Sequence, residues 1–420
     1  STLARVMHMV EEAQAQKSPT QQTIERFSRV FVPAVIGAAL LLIVVPPLFG
    51  VPLRDAFLRS MTLLVAASPC ALALGTPATV LAGIAQAARH GVLIKGSAHL
   101  ENLGRLRAIA FDKTGTITHG RPAVTDVTPL DGMGPDALLF LTAAAESRSA
   151  HPLARAIVDA AQTARPDEPF PAVSAVESHT GRGLAARVNG THVLAGNLAL
   201  WTGEGVPVSP AVDAQVAAFE AAGKTTVAVA LDGKPAGLLA LADTLRPGIA
   251  GTVAELRRLG IAETVMLTGD NERVAQAIAG AAGIASYRAA LLPEDKLAAV
   301  RELLAQHGQV GMVGDGVNDA PALAHATVGI AMGGAGTDVA LETADVALMG
   351  DDLSRLPFAI GLGRAARAII TQNLVMALGV IALLSVASVA GWTHIGTAVA
   401  LHEGSTLVVV LNALRLLRYQ

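Results

Sequence analysis

Four long apolar stretches limit what this chain can fold into. They span residues 30–53, 60–88, 368–393 and 395–414; the first three are uncharged, and the fourth contains only Glu403, beside His402. Each is long enough to cross the hydrocarbon core of a bilayer, about 30 Å thick, as a helix. Only 15% of the 420 residues are charged, whereas a soluble domain carries about a quarter. The sequence therefore predicts four transmembrane helices, the second broken in its middle by Ser68-Pro69-Cys70.

Basic residues indicate how these helices are oriented. Lys and Arg concentrate in cytosolic flanks, and arginines lie before the first and third stretches and after the second and fourth: Arg26, Arg29, Arg89, Arg364, Arg367, Arg415 and Arg418. Two hairpins that return to the cytosol satisfy this pattern, although the loop with Arg54, Asp55 and Arg59 departs from it. We expect a multi-pass protein of the plasma or inner membrane with cytosolic soluble domains. The net charge of −3 argues against a nucleic-acid partner.

The segment between the hairpins alternates short apolar strand patterns with helical patterns. This alternation predicts a doubly wound parallel α/β sheet, with a second domain inserted into it that contains a strand over 123–130 and then a helix over 135–162. The expected order is a cytosolic linker or stalk (1–29), a transmembrane hairpin (30–88), a stalk with the first part of the core domain (89–119), an inserted α+β domain (120–241), the rest of the core (242–357), and a stalk with the second hairpin (358–420).

Polar loops follow three of the predicted strands: Asp112-Lys113-Thr114-Gly115-Thr116, Thr268-Gly269-Asp270 and Gly314-Asp315-Gly316-Val317-Asn318-Asp319. Loops at the carboxyl ends of parallel strands meet at one edge of a sheet. There Asp112 can be a nucleophile, Asp315 and Asp319 suit a hard cation such as Mg²⁺, and Lys296 can neutralise phosphate charge. Each motif alone is typical of a glycine-rich turn with solvated acids. Three of them on successive strand ends favour a phosphate site.

Together these motifs resemble the phosphorylation domain of P-type ATPases, which are cation pumps with a haloacid dehalogenase-like core. The resemblance implies that ATP phosphorylates Asp112 and that Mg²⁺ lies among Asp112, Thr114, Asp315 and Asp319. It also implies that Thr268, Lys296 and Asn318 complete the surroundings of the phosphate. The segment Asp243-Thr244-Leu245-Arg246-Pro247 matches the family's hinge between the inserted domain and the core.

Thr114 distinguishes a pump from a simple phosphatase. Phosphatases of the wider superfamily usually carry a second Asp two positions after the nucleophile as a general acid and base, and a hydroxyl group is a poor substitute at neutral pH. We therefore expect slow unaided hydrolysis of the acyl-phosphate, which suits a pump. A membrane-anchored phosphatase and a non-catalytic metal-binding membrane fragment remain the alternatives.

The inserted domain carries Glu146, His151-Pro152 and Gly181-Arg182-Gly183. Each is weak evidence alone, since His-Pro often begins a helix and Gly-x-Gly is common. At this place in the chain they resemble the nucleotide-binding domain of the heavy-metal (type IB) branch of these pumps. The resemblance implies that Glu146 and His151 approach adenine and that Gly181 and Gly183 allow the nucleotide to come close.

Two groups of residues at membrane depth indicate which kind of ion is transported: Ser68-Pro69-Cys70 in the second predicted helix and His402-Glu403 in the fourth. Pro69 removes a helical hydrogen bond, and such breaks are tolerated where they line a cavity. Ionisable residues in a membrane helix, here His402 and Glu403, are costly and usually functional, and Thr406 shares the helical face of His402. A thiolate, an imidazole and a carboxylate together suit Zn²⁺ or Co²⁺. The simpler interpretation is that Cys70 is a small core residue and that His402-Glu403 lies in a surface loop.

The Ser-Pro-Cys and His-Glu-Gly-x-Thr motifs resemble those of the cobalt/zinc exporters of the type IB branch, with Ser405 where glycine is more usual. The resemblance implies that the transported ion binds Ser68, Cys70, His402, Glu403 and Thr406. The implied function is ATP-driven export of Zn²⁺ or Co²⁺, with Cd²⁺ as a further candidate, by a monomer in a lipid bilayer. From the resemblance we expect the family's actuator domain, and the helices upstream of it, to be missing from these 420 residues.

Overall fold

The computed structural model describes residues 18–130, 132–149, 151–179, 181–316, 319–333 and 343–420. Within them, four helical stretches are long and apolar enough to cross a membrane: Pro19–Leu48, Leu53–Arg89, Arg355–Ala390 and Ile395–Arg418. The first is helix α1 (Pro19–Leu48), whose N-terminus is capped by the Ser18 hydroxyl accepting from the amide of Gln21. The second part of the linker expected over residues 1–29 therefore belongs to the first membrane helix, which begins at Pro19. Residues 1–17 lie outside the described part.

The second stretch consists of two helices, α2 (Leu53–Ala66) and α3 (Cys70–Arg89). The interruption falls at residues 67–69, because Pro69 has no amide hydrogen with which to continue the ladder. Arg54, Asp55 and Arg59, expected in a loop, lie instead in the first turns of α2. The third and fourth stretches are α13 (Arg355–Ala390) and α14 (Ile395–Leu414), and both pack against α3. At their meeting point Ala71, Leu72, Ala377 and Val409 form a small apolar cluster.

The core domain contains a seven-stranded sheet in the order β1-β13-β12-β11-β2-β9-β10. Its strands are β1 (Val92–Ile94), β2 (Ala108–Asp112), β9 (Glu263–Leu267), β10 (Ser286–Arg288), β11 (Val310–Gly314), β12 (Val328–Met332) and β13 (Val346–Leu348). β2 pairs in parallel with β9, β9 with β10, and β12 with β13. The expectation of a purely parallel sheet is wrong at one edge, where β1 runs antiparallel to β13.

Helices accompany these strands along the chain. They are α4 (Ser97–Leu103), α9 (Ile249–Arg258), α10 (Glu272–Ala282), α11 (Pro293–His307) and α12 (Ala320–His325). Side-chain caps fix some of their starts: the side chain of Asn271 accepts from the amide of Val274 at the N-terminus of α10. Such caps satisfy amide groups that have no partner inside the helix.

A second, six-stranded sheet lies between β2 and β9 in sequence. Its order is β3-β8-β7-β6-β5-β4, and every neighbouring pair is antiparallel. The strands are β3 (Thr118–Pro129), β4 (Val173–His179), β5 (Gly183–Val188), β6 (Thr191–Gly196), β7 (Thr225–Leu231) and β8 (Lys234–Leu245). Because β3 and β8 are its first and last strands and lie side by side, the chain enters and leaves this sheet at one place.

Helices cover both faces of the six-stranded sheet. The helix expected over 135–162 is two helices, α5 (Pro135–Glu146) and α6 (Pro152–Ala164), because the His151 side chain caps a new helix at Pro152. These pack on one apolar face. Helices α7 (Leu198–Gly203) and α8 (Pro210–Ala221) cover the other, where Trp201 is fully buried.

Contacts divide the chain into two compact units. One contains the four apolar helical stretches with Leu304–Gly311 and the strands β12 and β13. The other contains Ala108–Leu303 and Met312–Ala322, and so includes the whole six-stranded sheet. Each unit carries one group of the residues singled out from the sequence.

Candidate functional site

Asp112 is the last residue of β2 and only 5% exposed. Its carboxylate forms an ion pair with Lys296, which lies in the first turn of α11 and is itself buried. Burial raises the pKa of Asp112 and repulsion from Asp315 adds to this, whereas Lys296 and Lys113 lower it. The lysines therefore offset part of the effect of burial and favour the ionised, nucleophilic form of the carboxylate, whose pKa nevertheless stays above its ordinary value.

The loop after Asp112 turns sharply at Gly115, whose φ of +74° is costly for any residue with a side chain. A Cβ atom there would lie 2.9 Å from Oδ2 of Asp315, so this carboxylate sits directly against the loop. Arg246 holds the loop from the other side by donating to the carbonyl oxygens of Gly115 (2.9 Å) and Thr118 (3.2 Å). Thr114, at the loop's tip, is exposed.

Asp319 is 1% exposed, and its Oδ1 accepts from the amide of Gly316 at 2.9 Å. Within the described residues its Oδ2 has no hydrogen-bond partner although it is buried. Burial, together with repulsion from Asp112 and Asp315, raises the pKa of Asp319 to about 7. An unpartnered carboxylate oxygen beside two further acids is a fitting ligand for Mg²⁺, which binds one or two protein carboxylates plus phosphate and water.

Thr268 and Asp270 follow β9, the neighbour of β2. Thr268 is buried, and its hydroxyl accepts from the amide of Asp270 at 3.1 Å. Asp270 forms an ion pair with Lys113 at 2.6 Å, so that it joins the second loop to the first. Neither Lys113 nor Asp270 is among the site residues predicted from the sequence, although both belong to the motifs on which that prediction rests. Asn318, which that prediction includes, lies outside the described residues.

The segment predicted to be the hinge lies at the base of the inserted sheet and is hydrogen-bonded to the loop after Asp112. Asp243, near the end of β8, accepts from the Thr118 hydroxyl at 2.5 Å and from the amides of Gly120 and Arg121 at 3.2 Å each. The two strands that leave and re-enter the core are therefore bonded to each other where the loop Lys113–Ile117, which follows Asp112, ends.

The residues nominated for nucleotide binding lie on different elements of the inserted sheet domain. Glu146 ends α5 and is 7% exposed, and burial raises its pKa to about 7. His151 is exposed and caps α6, with Nδ1 accepting from the amide of Leu153 at 3.2 Å. Gly181 has a positive φ of 71° and open space where a side chain would stand. Gly183 has a structural reason to be glycine, because a Cβ atom would collide with the carbonyl oxygen of Ala195 on β6.

In the membrane helices, Ser68 and Cys70 come together at the break between α2 and α3, with Oγ and Sγ 3.0 Å apart. His402 on α14 is 2% exposed, and neither ring nitrogen has a partner among the described residues. Thr406 is buried on the same face and donates back to the carbonyl oxygen of His402 at 3.2 Å. Glu403 is exposed, because neighbouring helical residues point about 100° apart.

The described part of the chain contains no group of three or more His, Cys, Asp and Glu side chains arranged to hold a metal ion. In the membrane helices the available donors are therefore the Ser68–Cys70 pair and, on another helix, the unpartnered imidazole of His402. At the sheet edge the candidate donors are the carboxylates of Asp112, Asp315 and Asp319, which do not form such a group by themselves.

Comparison with known proteins gives this geometry a context. Residues 106–327 match the haloacid dehalogenase-like hydrolase family. The whole chain aligns with a probable cadmium-transporting ATPase of Staphylococcus aureus (43% identical, 58% of that protein) and with a zinc/cadmium/lead-transporting P-type ATPase of Escherichia coli (45%, 56%). It thus spans somewhat more than half the length of these relatives.

A solved structure is similar over nearly the whole chain. The crystal structure of a zinc-transporting PIB-type ATPase in its E2.Pi state matches with a TM-score of 0.75 and 45% identity, covering 99% of this chain and 67% of that one. The chain belongs to the haloacid dehalogenase-like hydrolases and, within them, to the heavy-metal (type IB) P-type ATPases.

Proposed function

We propose that the complete protein exports a divalent transition-metal ion across the cell membrane and drives this export by phosphorylating Asp112 with ATP. The observation that supports the chemical step most directly is the buried ion pair between Asp112 and Lys296 at the end of β2. The names of the relatives favour zinc, cadmium or lead as the ion, and the donor set equally suits Co²⁺.

In the proposed reaction, a carboxylate oxygen of Asp112 attacks the terminal phosphorus of ATP. A bond from Asp112 to phosphorus forms, the bond from phosphorus to the bridging oxygen breaks, and ADP leaves with the electron pair. Lys296 starts this step paired with Asp112 and can follow the negative charge onto the phosphoryl oxygens. Thr268 offers a hydroxyl group from the neighbouring loop, and Asn318 is proposed to complete the set.

Asp112, Thr114, Asp315 and Asp319 would hold a Mg²⁺ ion, which would offset the charge of the phosphate groups. The chain's own part is to keep these acids close together: burial is the larger cause of the raised pKa of Asp319, and repulsion from Asp112 and Asp315 adds to it. Gly115 and Gly314 make this crowding possible, because a side chain at either position would meet Asp315 or Asp319.

Thr114 supports a lasting phosphoenzyme. Its side chain lies two positions after the nucleophile and cannot act as a general acid or base at neutral pH. The exposed loop tip therefore offers incoming water no proton acceptor from residue 114.

We propose that Glu146, His151, Gly181 and Gly183 bind the nucleotide, with Gly181 the better candidate of the two glycines since its open surroundings leave room for a ligand.

For the transported ion we propose Ser68, Cys70 and His402 as the central ligands. His402 is the strongest indication, since a buried imidazole with both nitrogens unpartnered costs free energy unless a ligand completes it. Thr406 would add an oxygen from the same face. Glu403 would have to turn inward from its exposed position to join them, so we propose it as the ligand of a step that requires helix rotation.

Asp112→Asn tests the phosphorylation step, because an amide has nearly the same shape but is a poor nucleophile. The full-length variant should bind ATP yet acquire no acid-stable label from ATP labelled on its terminal phosphate. Asp213→Asn, an exposed change on α8, serves as the matched control and should be labelled normally. Label on the Asp112→Asn protein would refute the proposed nucleophile.

Cys70→Ala and His402→Ala test the ion site. Each full-length variant should lose stimulation of ATP hydrolysis by Zn²⁺, Cd²⁺, Pb²⁺ and Co²⁺ while still binding ATP. His394→Ala, a change of an exposed residue at the N-terminus of α14, should retain the stimulation. If both Cys70→Ala and His402→Ala retain it, the ion binds elsewhere.

A further inference from the structure

Three arginines lie at the junction between α4 and α13. Arg364 and Arg367 are one turn apart on α13, immediately before its long uncharged run begins at Ala368. Arg107 follows α4 after a short turn. Arg107 and Arg367 are exposed and Arg364 is partly buried, so a ligand from the surroundings can reach the group.

A glycine contact positions these arginines. Gly104 and Gly363 meet backbone to backbone, and a Cβ atom on Gly104 would lie 2.5 Å from the carbonyl oxygen of Gly363. Arg367 spans the contact by donating from Nη1 to the carbonyl oxygen of Gly104 at 3.3 Å. The amide of Arg107 donates to the carbonyl oxygen of Gln309 at 2.9 Å, which fixes the backbone on the other side. The backbone beneath the cluster is therefore held by main-chain contacts, and the side chain of Arg367 is held by its hydrogen bond to Gly104.

The charges in this cluster do not compensate one another. Arg107 and Arg367 are the charged groups that act on the guanidinium of Arg364, and both repel it. Within the described residues, none of the three forms a salt bridge with a carboxylate, whereas the neighbouring Arg105 pairs with Glu101. Three neighbouring positive charges without a counter-charge favour binding of an anion.

We propose that Arg107, Arg364 and Arg367 form a binding site for the phosphate headgroup of an anionic phospholipid. The cluster lies where the apolar run of α13 begins, at the depth at which a membrane presents its headgroups. A single guanidinium group can donate hydrogen bonds to two oxygens of one phosphate at the same time. A headgroup in this site would link α13 to the turn after α4, so the lipid stabilises the α4–α13 junction.

The test measures lipid binding by full-length protein in neutral detergent, titrated with phosphatidylglycerol and followed by native mass spectrometry. Arg107→Gln/Arg364→Gln/Arg367→Gln should weaken binding by about a hundredfold, since one basic residue near anionic lipid contributes about fivefold. The same three positions changed to Lys keep the charge and should retain most of the affinity. Phosphatidylcholine should bind weakly to every variant.

The matched control is Arg89→Gln/Arg415→Gln/Arg418→Gln, which removes three positive charges from other helix ends on the same side. It should leave phosphatidylglycerol binding within about threefold of the parent protein, below the contribution of a single residue. Equal loss in the control and the cluster variant, or no loss in the latter, would overturn the proposal. Displacement of the lipid by millimolar inorganic phosphate would instead show a site for free anions. The readout needs no ATP hydrolysis, so it stands apart from the pump activity.

Discussion

Glu146 is buried at the end of α5, and its ionisation changes the stability of the fold. In the unfolded chain its pKa lies near 4.5, whereas in the folded protein burial raises it to about 7. Between these values only the unfolded chain has released the proton, so folding stability falls as the pH rises through this window and is level above it. The loss amounts to about 3 kcal/mol when it is complete.

Glu146→Gln should remove this loss. The variant should melt close to the parent protein at pH 4.5 and at a higher temperature than the parent at pH 8, when both are measured in detergent without nucleotide. Glu177→Gln, an exposed change on β4 of the six-stranded sheet against which α5 packs, should leave the pH profile as it is. A shift of Glu146→Gln that is equal at both pH values would show that burial does not hold the proton on Glu146.

Individual residues also show where sequence reasoning ends. The edge with Asp112, Thr268 and Asp315 was predictable, because each follows a short apolar strand in the chain and the order of strands places their ends together. The direction in which a side chain points was not predictable from the sequence. Glu403 follows His402 directly, yet one is exposed and the other buried, and only the packing of α14 against its neighbours decides which.

At the scale of elements, α1 and α4 are joined through one buried carboxylate. Glu101 on α4 is 2% exposed and accepts from the Thr20 hydroxyl at 2.6 Å and from the Thr20 amide at 3.3 Å, while Arg105 pairs with it from its own helix. It therefore satisfies amide and hydroxyl groups at the N-terminus of the first membrane helix, where negative charge is favourable.

Glu101→Ala should lower stability by about 2–3 kcal/mol, since hydrogen bonds to a charged group are lost and Thr20 is left without its partner. Glu101→Gln keeps an acceptor for Thr20 and should cost less. Thermal melting of the purified protein in detergent measures both changes. Glu294→Gln, an exposed change at the start of α11, should have no effect. Melting of Glu101→Ala at the parent temperature would show that the tie does not hold the two helices.

Elements differ in how far the sequence reveals them. The helices and strands around the three motifs were predictable from local patterns, but the single helix expected over 135–162 was not correct. Its alanine-rich sequence continues the helical pattern through residues 147–151, and the break depends on the cap that His151 provides at Pro152. Strand β1 has three residues, and its partner β13 is distant in sequence. No local sequence pattern therefore predicts strand β1.

At the scale of the whole molecule, the inserted sheet domain contacts the core domain through polar side chains. Glu220 on α8 accepts from Asn271 at 2.5 Å and pairs with Arg273 at 3.1 Å, both at the start of α10. Since such exposed pairs contribute little to stability, typically about 0.2–1 kcal/mol, we expect this one to affect orientation more than folding.

Glu220→Arg should separate the two helices, because it places like charges opposite each other. Hydrogen exchange should then speed up in α8 and in the first turn of α10, and Glu220→Arg/Arg273→Glu should restore the slow exchange. Glu255→Arg breaks a pair with Arg258 inside α9 alone and should leave α8 unchanged. Unaltered exchange in Glu220→Arg would mean that the contact does not orient the domain.

The adjacency of β3 and β8 has a consequence for how such a chain can change over time. Since the six-stranded sheet begins and ends on neighbouring strands that Asp243 fastens together, its contents can lengthen, shrink or be exchanged without displacing Asp112. Insertion at such closely spaced ends is well tolerated by folded domains. The domain proposed to bind the nucleotide is thus a replaceable module, whereas the residues proposed to accept the phosphate belong to a scaffold that must stay constant.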